Sequence, residues 1–295
     1  MKISGFTFVR NALLFGYPIY ESLHSLLHLC DELVIAAGKS DDDTVTYLKS
    51  FQNEKFKIIE TEWDQSLREG GLIYSRQTNI ALNECQGDWC IYLQADEVLH
   101  EDDYDMIYYE IKSATERKVI DGLLFKYLHF YGSYDYIGTG RQWYRREIRA
   151  FKNTGKVVSW GDAQGFRIND KGKIRKLRAK QTDARVFHYG WVKPPQIQNI
   201  KNKYTGRYYN GNEKFDLSSA EANQLFDYNS AYELAEFTGN HPQIMSNKIE
   251  IDKKWTNLFE PTRLKKKPFL MNLTDKIEKR TGWRIGEFKD FVEIK

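Results

Sequence analysis

The sequence predicts an α/β protein built on a mixed, mainly parallel sheet flanked by helices. Three observations carry this. Over residues 1–100, short β-rich runs alternate with helical periodicities in a βαβαβαβ order, the pattern of parallel strands joined by crossover helices. Beyond residue 100 the apolar runs are shorter and more alternating, which predicts mixed or antiparallel pairing. The 295 residues are 41% hydrophobic and 29% charged, with a mean hydropathy of −0.64. That excludes a disordered or fibrous chain and allows one large domain, or one domain with an appendage.

The elements follow in order. Residues 3–9 read as a strand. Pro18 opens a helix on which Ile19, Leu23, Leu26, Leu27 and Cys30 recur at helical spacing. Residues 33–37 form a second buried strand that runs into a polar loop over 38–44. A short helix is expected over 45–51, a third strand over 56–59, an amphipathic helix over 73–85 and a fourth strand over 89–93. In such a sheet ligands bind beyond the carboxyl ends of the strands. Three of those ends carry polar residues: Arg10-Asn11, 38–44 and 94–97. Next come a helix over 101–116, a long strand over 122–130, and strands at 142–145, 157–160, 165–168 and 185–189, with a hairpin at 169–172. Pro194-Pro195 closes this region. Helices are expected over 196–208, from Ser218, where Ser218 and Glu221 have capping-box spacing, and over 273–280. The division expected is one domain over 1–210 and a helical C-terminal extension over 211–295.

Lys and Arg number 44 against 41 Asp and Glu, a net charge of +3, too little to argue for nucleic acid. Only the tail is locally basic, in Arg263, Lys265, Lys266 and Lys267. Such a run is a solvated face or a contact for anionic lipid or an acidic partner. Cys30, Cys85 and Cys90 lie in apolar surroundings without metal-type spacing. They read as free thiols in a reducing compartment, hence a cytoplasmic protein. The N-terminal MKISGFTFVRN lacks the apolar stretch of a signal peptide, and no run of 18 apolar residues predicts a membrane span. Peripheral contact with the inner face of a membrane, through the basic tail, stays open.

The strongest chemical signal is CIYLQADEVLHEDD, residues 90–103. An apolar strand runs into Asp96 and Glu97, at the strand end where carboxylates can hold a hard cation and a phosphate can complete its shell. A helix cap is the plainer role for Asp96. Four segments in order, SGFTFVRN, ELVIAAGKSDDDT, GGLIYSRQTNIAL and GDWCIYLQADE, make the chain resemble a family 2 glycosyltransferase of the GT-A fold. The resemblance covers residues 2–105 well and is looser to about 195. It implies transfer from a nucleotide-diphospho-sugar, with Asp96 matching the aspartate that binds a divalent metal, Mn²⁺ or Mg²⁺. It also implies a donor site formed by Val9, Arg10, Asn11, Gly38, Ser40, Asp42, Arg76, Gln94, Ala95 and Asp96. Two positions depart from the family pattern. Gln94 stands where the first acid is expected, and Ala36-Ala37 where the family often has Asp-Asp. Asp41 to Asp43 are candidates to substitute for the latter.

Arg76, after the Gly70-Gly71 pair, could bind a phosphate bidentately or lie on a solvent face. His188, ending the strand in ARVFHYGWVKP, is the second metal candidate, with a structural role as its alternative. His24 and His28 are spaced i,i+4 but lack a third ligand, and His129 reads as a packing residue. An inverting transfer needs a base for the acceptor hydroxyl. Asp162 in VSWGDAQGF is preferred, with Trp160 nearby for sugar stacking. Asp135 is the alternative, and turn formation the plainer role for Asp162. Arg141, Arg145, Arg146 and Arg149 could steer an anionic ligand or form a solvent edge. The function expected is therefore a metal-dependent, inverting glycosyltransferase acting on a saccharide, lipid-linked or protein acceptor. The alternatives are a non-catalytic protein that binds sugar or nucleotide or serves as a partner in an assembly, and a nucleotidyltransferase. The last would need a glycine-rich phosphate loop that FVRNALLFGYP does not supply.

Overall fold

A computed structural model describes residues 1–209, 216–261 and 264–294. The chain opens with β1 (Ile3–Val9), α1 (Ile19–Leu27), β2 (Glu32–Gly38), α2 (Thr44–Lys49), β3 (Phe56–Thr61), α3 (Leu72–Asn83) and β4 (Trp89–Tyr92). β1 pairs in parallel with β2 and β4, and β2 with β3. Alternate β2 side chains enter opposite cores. Leu33, Ile35 and Ala37 pack with Leu23 and Leu26 of α1, and Val34 and Ala36 with Ala81 and Leu82 of α3. A parallel strand covered on both faces needs apolar residues at every position, and LVIAA supplies them.

The second half adds β5 (Glu97–Leu99), α4 (Tyr104–Glu116), β6 (Gly122–Tyr131), β7 (Tyr136–Gly138), β8 (Arg146–Lys152), β9 (Val157–Trp160), β10 (Gly165–Asp170) and β11 (Lys173–Trp191). The sheet runs β3-β2-β1-β4-β8-β6-β11-β10-β9. β8 is antiparallel to β4 and β6, whereas β11 is parallel to β6 and antiparallel to β10 and β5. The sheet is therefore mixed, as expected.

Three local expectations are corrected. The strand expected at 142–145 begins instead at Arg146, because Arg141 and Arg145 turn their guanidinium groups to Asp275 and Glu287. The strand expected at 185–189 is the end of the 19-residue β11. Its first half reads as polar because four residues, 173–176, are exposed. The helix expected from Ser218 is only a 3-10 turn, Ala220–Asn223, and its N-cap residue Ser219 makes no side-chain cap bond.

Beyond β11 come α5 (Pro195–Gly206), β12 (Leu234–Glu236), α6 (Ser246–Thr256), α7 (Phe269–Thr281) and β13 (Phe291–Ile294). The expected boundary at 210–211 and the basic residue Arg263 lie outside the described residues. Of the helices expected beyond residue 210, α7 covers the one over 273–280; α6 is not among those expected, and two short strands, β12 and β13, accompany them. One of these, β13, joins β11 in parallel. Among the described residues no helix is long and apolar enough to cross a membrane.

Candidate active site

A cavity of about 370 Å³ opens at the carboxyl ends of β1 and β4. Val9 and Arg10 line it from β1, Gln94, Ala95 and Asp96 from the turn after β4, and Asp162 and His188 from the second half. Tyr74, Trp191, Tyr204, Tyr208 and Tyr209 give it aromatic walls. The apolar β4 ends at Tyr92 and the chain then turns sharply, so the two consecutive acids part company. Asp96 faces the cavity. Glu97 points into the protein, where its oxygens accept bonds from Arg149 (3.0 and 3.2 Å), Tyr127 (2.7 Å) and the Gln94 amide (3.0 Å). Both side chains of the Glu97–Arg149 pair are fully buried. Glu97 is thus an anchor for the turn that presents Asp96.

β5 pairs antiparallel with β11, His188 opposite Glu97, and this register brings His188 to Asp96. Their Nε2 and Oδ2 atoms lie 3.8 Å apart. Burial opposes ionisation of Asp96, but neighbouring positive charge, Lys201 foremost, outweighs it and holds the carboxyl at about 2. His188 is held neutral-leaning by burial, against the pull of Asp96. His129 lies beside it on β6, Nδ1 to Nδ1 at 3.0 Å, with its own Nε2 2.8 Å from the Tyr144 carbonyl. A carbonyl only accepts, so the proton of His129 sits on Nε2. Its Nδ1 then accepts from His188 Nδ1–H, leaving a lone pair on His188 Nε2 beside Asp96. A Cβ on Gly190 would stand 2.5 Å from His188 Nε2 and 2.7 Å from Asp96 Oδ2. The missing side chain preserves the space next to both atoms.

This donor set fits a divalent cation whose remaining ligands come from a substrate: one carboxylate, one imidazole lone pair and the neutral amide of Gln94 nearby. Among the described residues no cluster of three or more His, Cys, Asp and Glu side chains suits a metal. Lys201 also reaches the same Asp96 oxygen, at 3.4 Å, and the Gly190 carbonyl at 2.9 Å.

The other expected residues divide. Asn11 is fully buried with φ 56° and exchanges two bonds with Asp41 (2.8 and 2.7 Å). Ser40 accepts from the Asn11 amide, and Asp42 caps Leu14 and Thr44 amides. These residues shape the strand ends without lining the cavity. Gly38 does not line it either; a Cβ there would run into Trp63 Nε1, so glycine lets that indole lie across the strand end. Arg76 is not brought to the cavity. It is exposed and pairs with Asp64 at 3.2 Å. Asp162 sits in a turn against Gly71, whose positive φ of 69° leaves it without a tolerated Cβ, and Tyr209 donates to its Oδ2 at 3.3 Å. Trp160 points outside the cavity, with Arg167 over its ring. Asp135 is exposed on a distant turn. The basic run is no steering surface: Arg141, Arg145, Arg146 and Arg149 pair with Asp275, Glu287, Glu293 and Glu97.

Sequence reasoning missed three groups. His129 is a partner of His188 and not mere packing. Lys201 is the cation nearest Asp96. On α5 and just after it, Tyr204 donates to Asp41 (2.5 Å), and Arg10 donates to Tyr208 (3.0 Å). Burial works against ionisation of Asp41, but bonds from Tyr204 and Asn11 and the charge of Arg10 hold its carboxyl below the ordinary range. Arg10 Nε and Trp63 Nε1 are buried donors without partners among the described residues, the chemistry of a pocket end that meets a polar ligand.

The profile named Glycosyl transferase family 2 matches residues 16–178, more than half of the sequence. The chain belongs to glycosyl transferase family 2. An uncharacterized glycosyltransferase of Rickettsia prowazekii is 23% identical to this family 2 chain over 211 residues, 69% of this chain and 65% of that protein. Another, from Rickettsia typhi, is 28% identical over 119 residues, 40% of this chain and 36% of its own length. The chain thus spans less than two thirds of either relative. Among solved structures, S. aureus TarS 1–349 in complex with UDP-GlcNAc aligns at 11% identity and a TM-score of 0.40, covering 73% of this chain and 68% of that one. Glucosyl-3-phosphoglycerate synthase from Mycobacterium tuberculosis, in complex with Mn²⁺, UDP and phosphoglyceric acid, aligns at 16% identity and a TM-score of 0.28, covering 43% of each chain.

Proposed function

We propose that the protein transfers a sugar from a nucleotide-diphospho-sugar to an acceptor hydroxyl, with inversion and with a divalent cation held by Asp96 and His188. The observation that carries this is the meeting of Asp96 Oδ2 and the His188 Nε2 lone pair, 3.8 Å apart, in a cavity that Asp162 also lines. Bound there, Mn²⁺ or Mg²⁺ would neutralise charge on the departing diphosphate. Asp162 takes the proton of the acceptor hydroxyl as its oxygen bonds the anomeric carbon and the bond from that carbon to the diphosphate breaks. Val9, Arg10 and Trp63 would hold the nucleoside end, and Tyr74, Trp191 and Tyr209 would exclude water around the sugar. The catalytic unit is residues 1–210. The three buried free cysteines support a reducing, cytoplasmic setting.

Lys201 favours a second reading, a metal-free transferase in which an ammonium group supplies the positive charge. The test is a thermal-shift screen of nucleotide sugars with Mn²⁺ and with EDTA, followed by donor hydrolysis. Metal-dependent stabilisation, lost in Asp96→Ala and weakened in His188→Ala, supports the first reading. Equal stabilisation in EDTA, lost in Lys201→Met, supports the second. No binding and no hydrolysis of any nucleotide sugar would overturn both and favour a non-catalytic partner.

A further inference from the structure

α7 is turned inside out. Its protein-facing side is acidic. Asp275 accepts from Arg141 (2.9 Å) and Lys267 (2.8 Å), and Glu278 from Arg284 (2.8 Å), with Arg141 at 3.2 Å. These two acids are only 13% and 17% exposed. Three of its five large apolar residues face solvent: Phe269 is 83% exposed, Leu270 70% and Leu273 48%, while Met271 and Ile277 are half-buried. No residue of the helix is buried. Trp283 (63%) and Phe288 (73%) extend the exposed apolar set just beyond it. Helices on globular domains bury the opposite face, so this one is built to meet something apolar.

The exposed charges over residues 264–288 are all basic, Lys265, Lys266, Lys276, Lys279 and Arg280, whereas Asp275, Glu278 and Glu287 are turned into ion pairs, with Lys267 and Arg284 among their partners. On the helix Phe269, Leu273, Lys276 and Arg280 follow one another at spacings of three and four, so the apolar and cationic groups share one outward stripe. A second copy of the chain would set like charges against one another. A lipid surface needs no matching groove, takes up Phe, Leu and Trp at the headgroup level, and attracts cations when it is anionic. We infer that the outward face of α7, with Trp283, docks on an anionic lipid bilayer. None of these residues lines the cavity, so this inference stands apart from the proposed transferase reaction.

The test is co-sedimentation of the full-length protein with phosphatidylcholine vesicles, with and without phosphatidylglycerol, at low and high salt. The protein should bind only the anionic vesicles, and salt should weaken it. Phe269→Ser/Leu273→Ser and Lys276→Glu/Arg280→Glu should each lower partitioning about tenfold or more. Both double variants change exposed side chains, so their melting temperatures should match the parent. Absent binding at low salt, equal binding to uncharged vesicles, or binding that survives both substitutions overturns the inference. So does reversible dimerisation without vesicle binding, abolished by Phe269→Ser/Leu273→Ser, which would assign the face to a second copy.

Discussion

His129 and His188 face each other across neighbouring parallel strands, Nδ1 to Nδ1 at 3.0 Å. Burial, with His188 adding to it, holds the His129 imidazole well below its ordinary pKa. One shared proton then sets the tautomers of both rings, and the Tyr144 carbonyl decides where it lies. The pair turns a buried strand position into a device that aims a lone pair at Asp96. In the proposed mechanism His129 acts through His188 and is a positioning residue.

The corresponding prediction concerns cation affinity. Removing a ligand's outer hydrogen-bond partner typically costs about 10–100-fold in metal affinity. His129→Leu should weaken Mn²⁺ binding in the nucleoside diphosphate complex by that range and alter its electron paramagnetic resonance spectrum. His129→Asn offers an amide oxygen to His188 Nδ1–H and should recover part of both. A fall in melting temperature with unchanged affinity and spectrum would leave His129 as packing alone.

Gly190 gives a steric counterpart. A methyl group there would press on His188 Nε2 and Asp96 Oδ2 at 2.5 and 2.7 Å. Both atoms end side chains that can swing away, so Gly190→Ala should fold. It should lose metal-stimulated nucleotide binding, read by calorimetry with Mn²⁺ and with EDTA. Unchanged binding would place the cation elsewhere.

The Glu97–Arg149 pair should matter for stability. Breaking a fully buried ion pair strands a charge and costs about 3–5 kcal/mol. Arg149→Met should destabilise by that amount in urea unfolding. Arg149→Met/Glu97→Gln should lose less than the sum of the two single variants, because neither charge is then left unpaired.

Much of this was legible in the sequence, for physical reasons. LVIAA and CIYL read as buried strands, and parallel strands direct their carboxyl ends to a ligand crevice, so Asp96 was expected at the strand-end cavity that it lines. Glu97 read as a second crevice acid because spacing does not reveal which way a turn sends the next side chain. The arginines of 141–149 read as free because their partners are far away in sequence: Asp275 lies 134 positions from Arg141, and Glu293 147 from Arg146. His129 stayed hidden because its partner is 59 residues on and depends on the register of a long parallel pair. Lys201 carries no motif; a helix happens to lay it across the cleft.

Glu147 allows a pH test. It is 3% exposed, and Gln164 donates to one oxygen at 3.0 Å while the other has no partner among the described residues. Burial pushes its carboxyl up to about 8; Arg149 opposes this and Asp290 adds to it. An unfolded glutamate ionises near 4.5. Between these values the folded state keeps a proton that the unfolded state has released, so stability falls as pH rises through the window. Glu147→Gln should therefore gain melting temperature over the parent at pH 8, with little difference at pH 4.5. A constant offset across the range would refute the assignment.

Asp162 tests the chemistry itself. It lines the cavity with Tyr74 and Tyr209 but stands on a different segment from Asp96, so the proposed base can be removed without touching the proposed cation site. A positioned base contributes about 10²–10⁴ in rate. Asp162→Asn should lower kcat by that range, leaving nucleotide affinity and metal dependence intact. The Tyr209 hydroxyl, 3.3 Å from the carboxylate, spends a bond on holding it. Tyr209→Phe should therefore keep most of the rate, because the base survives the loss of its orienting donor. Asp135→Asn, exposed and remote, should be silent. Were Asp162→Asn fully active, the carboxylate would be a turn former pressed against Gly71, and the base would have to come from another group or from the acceptor.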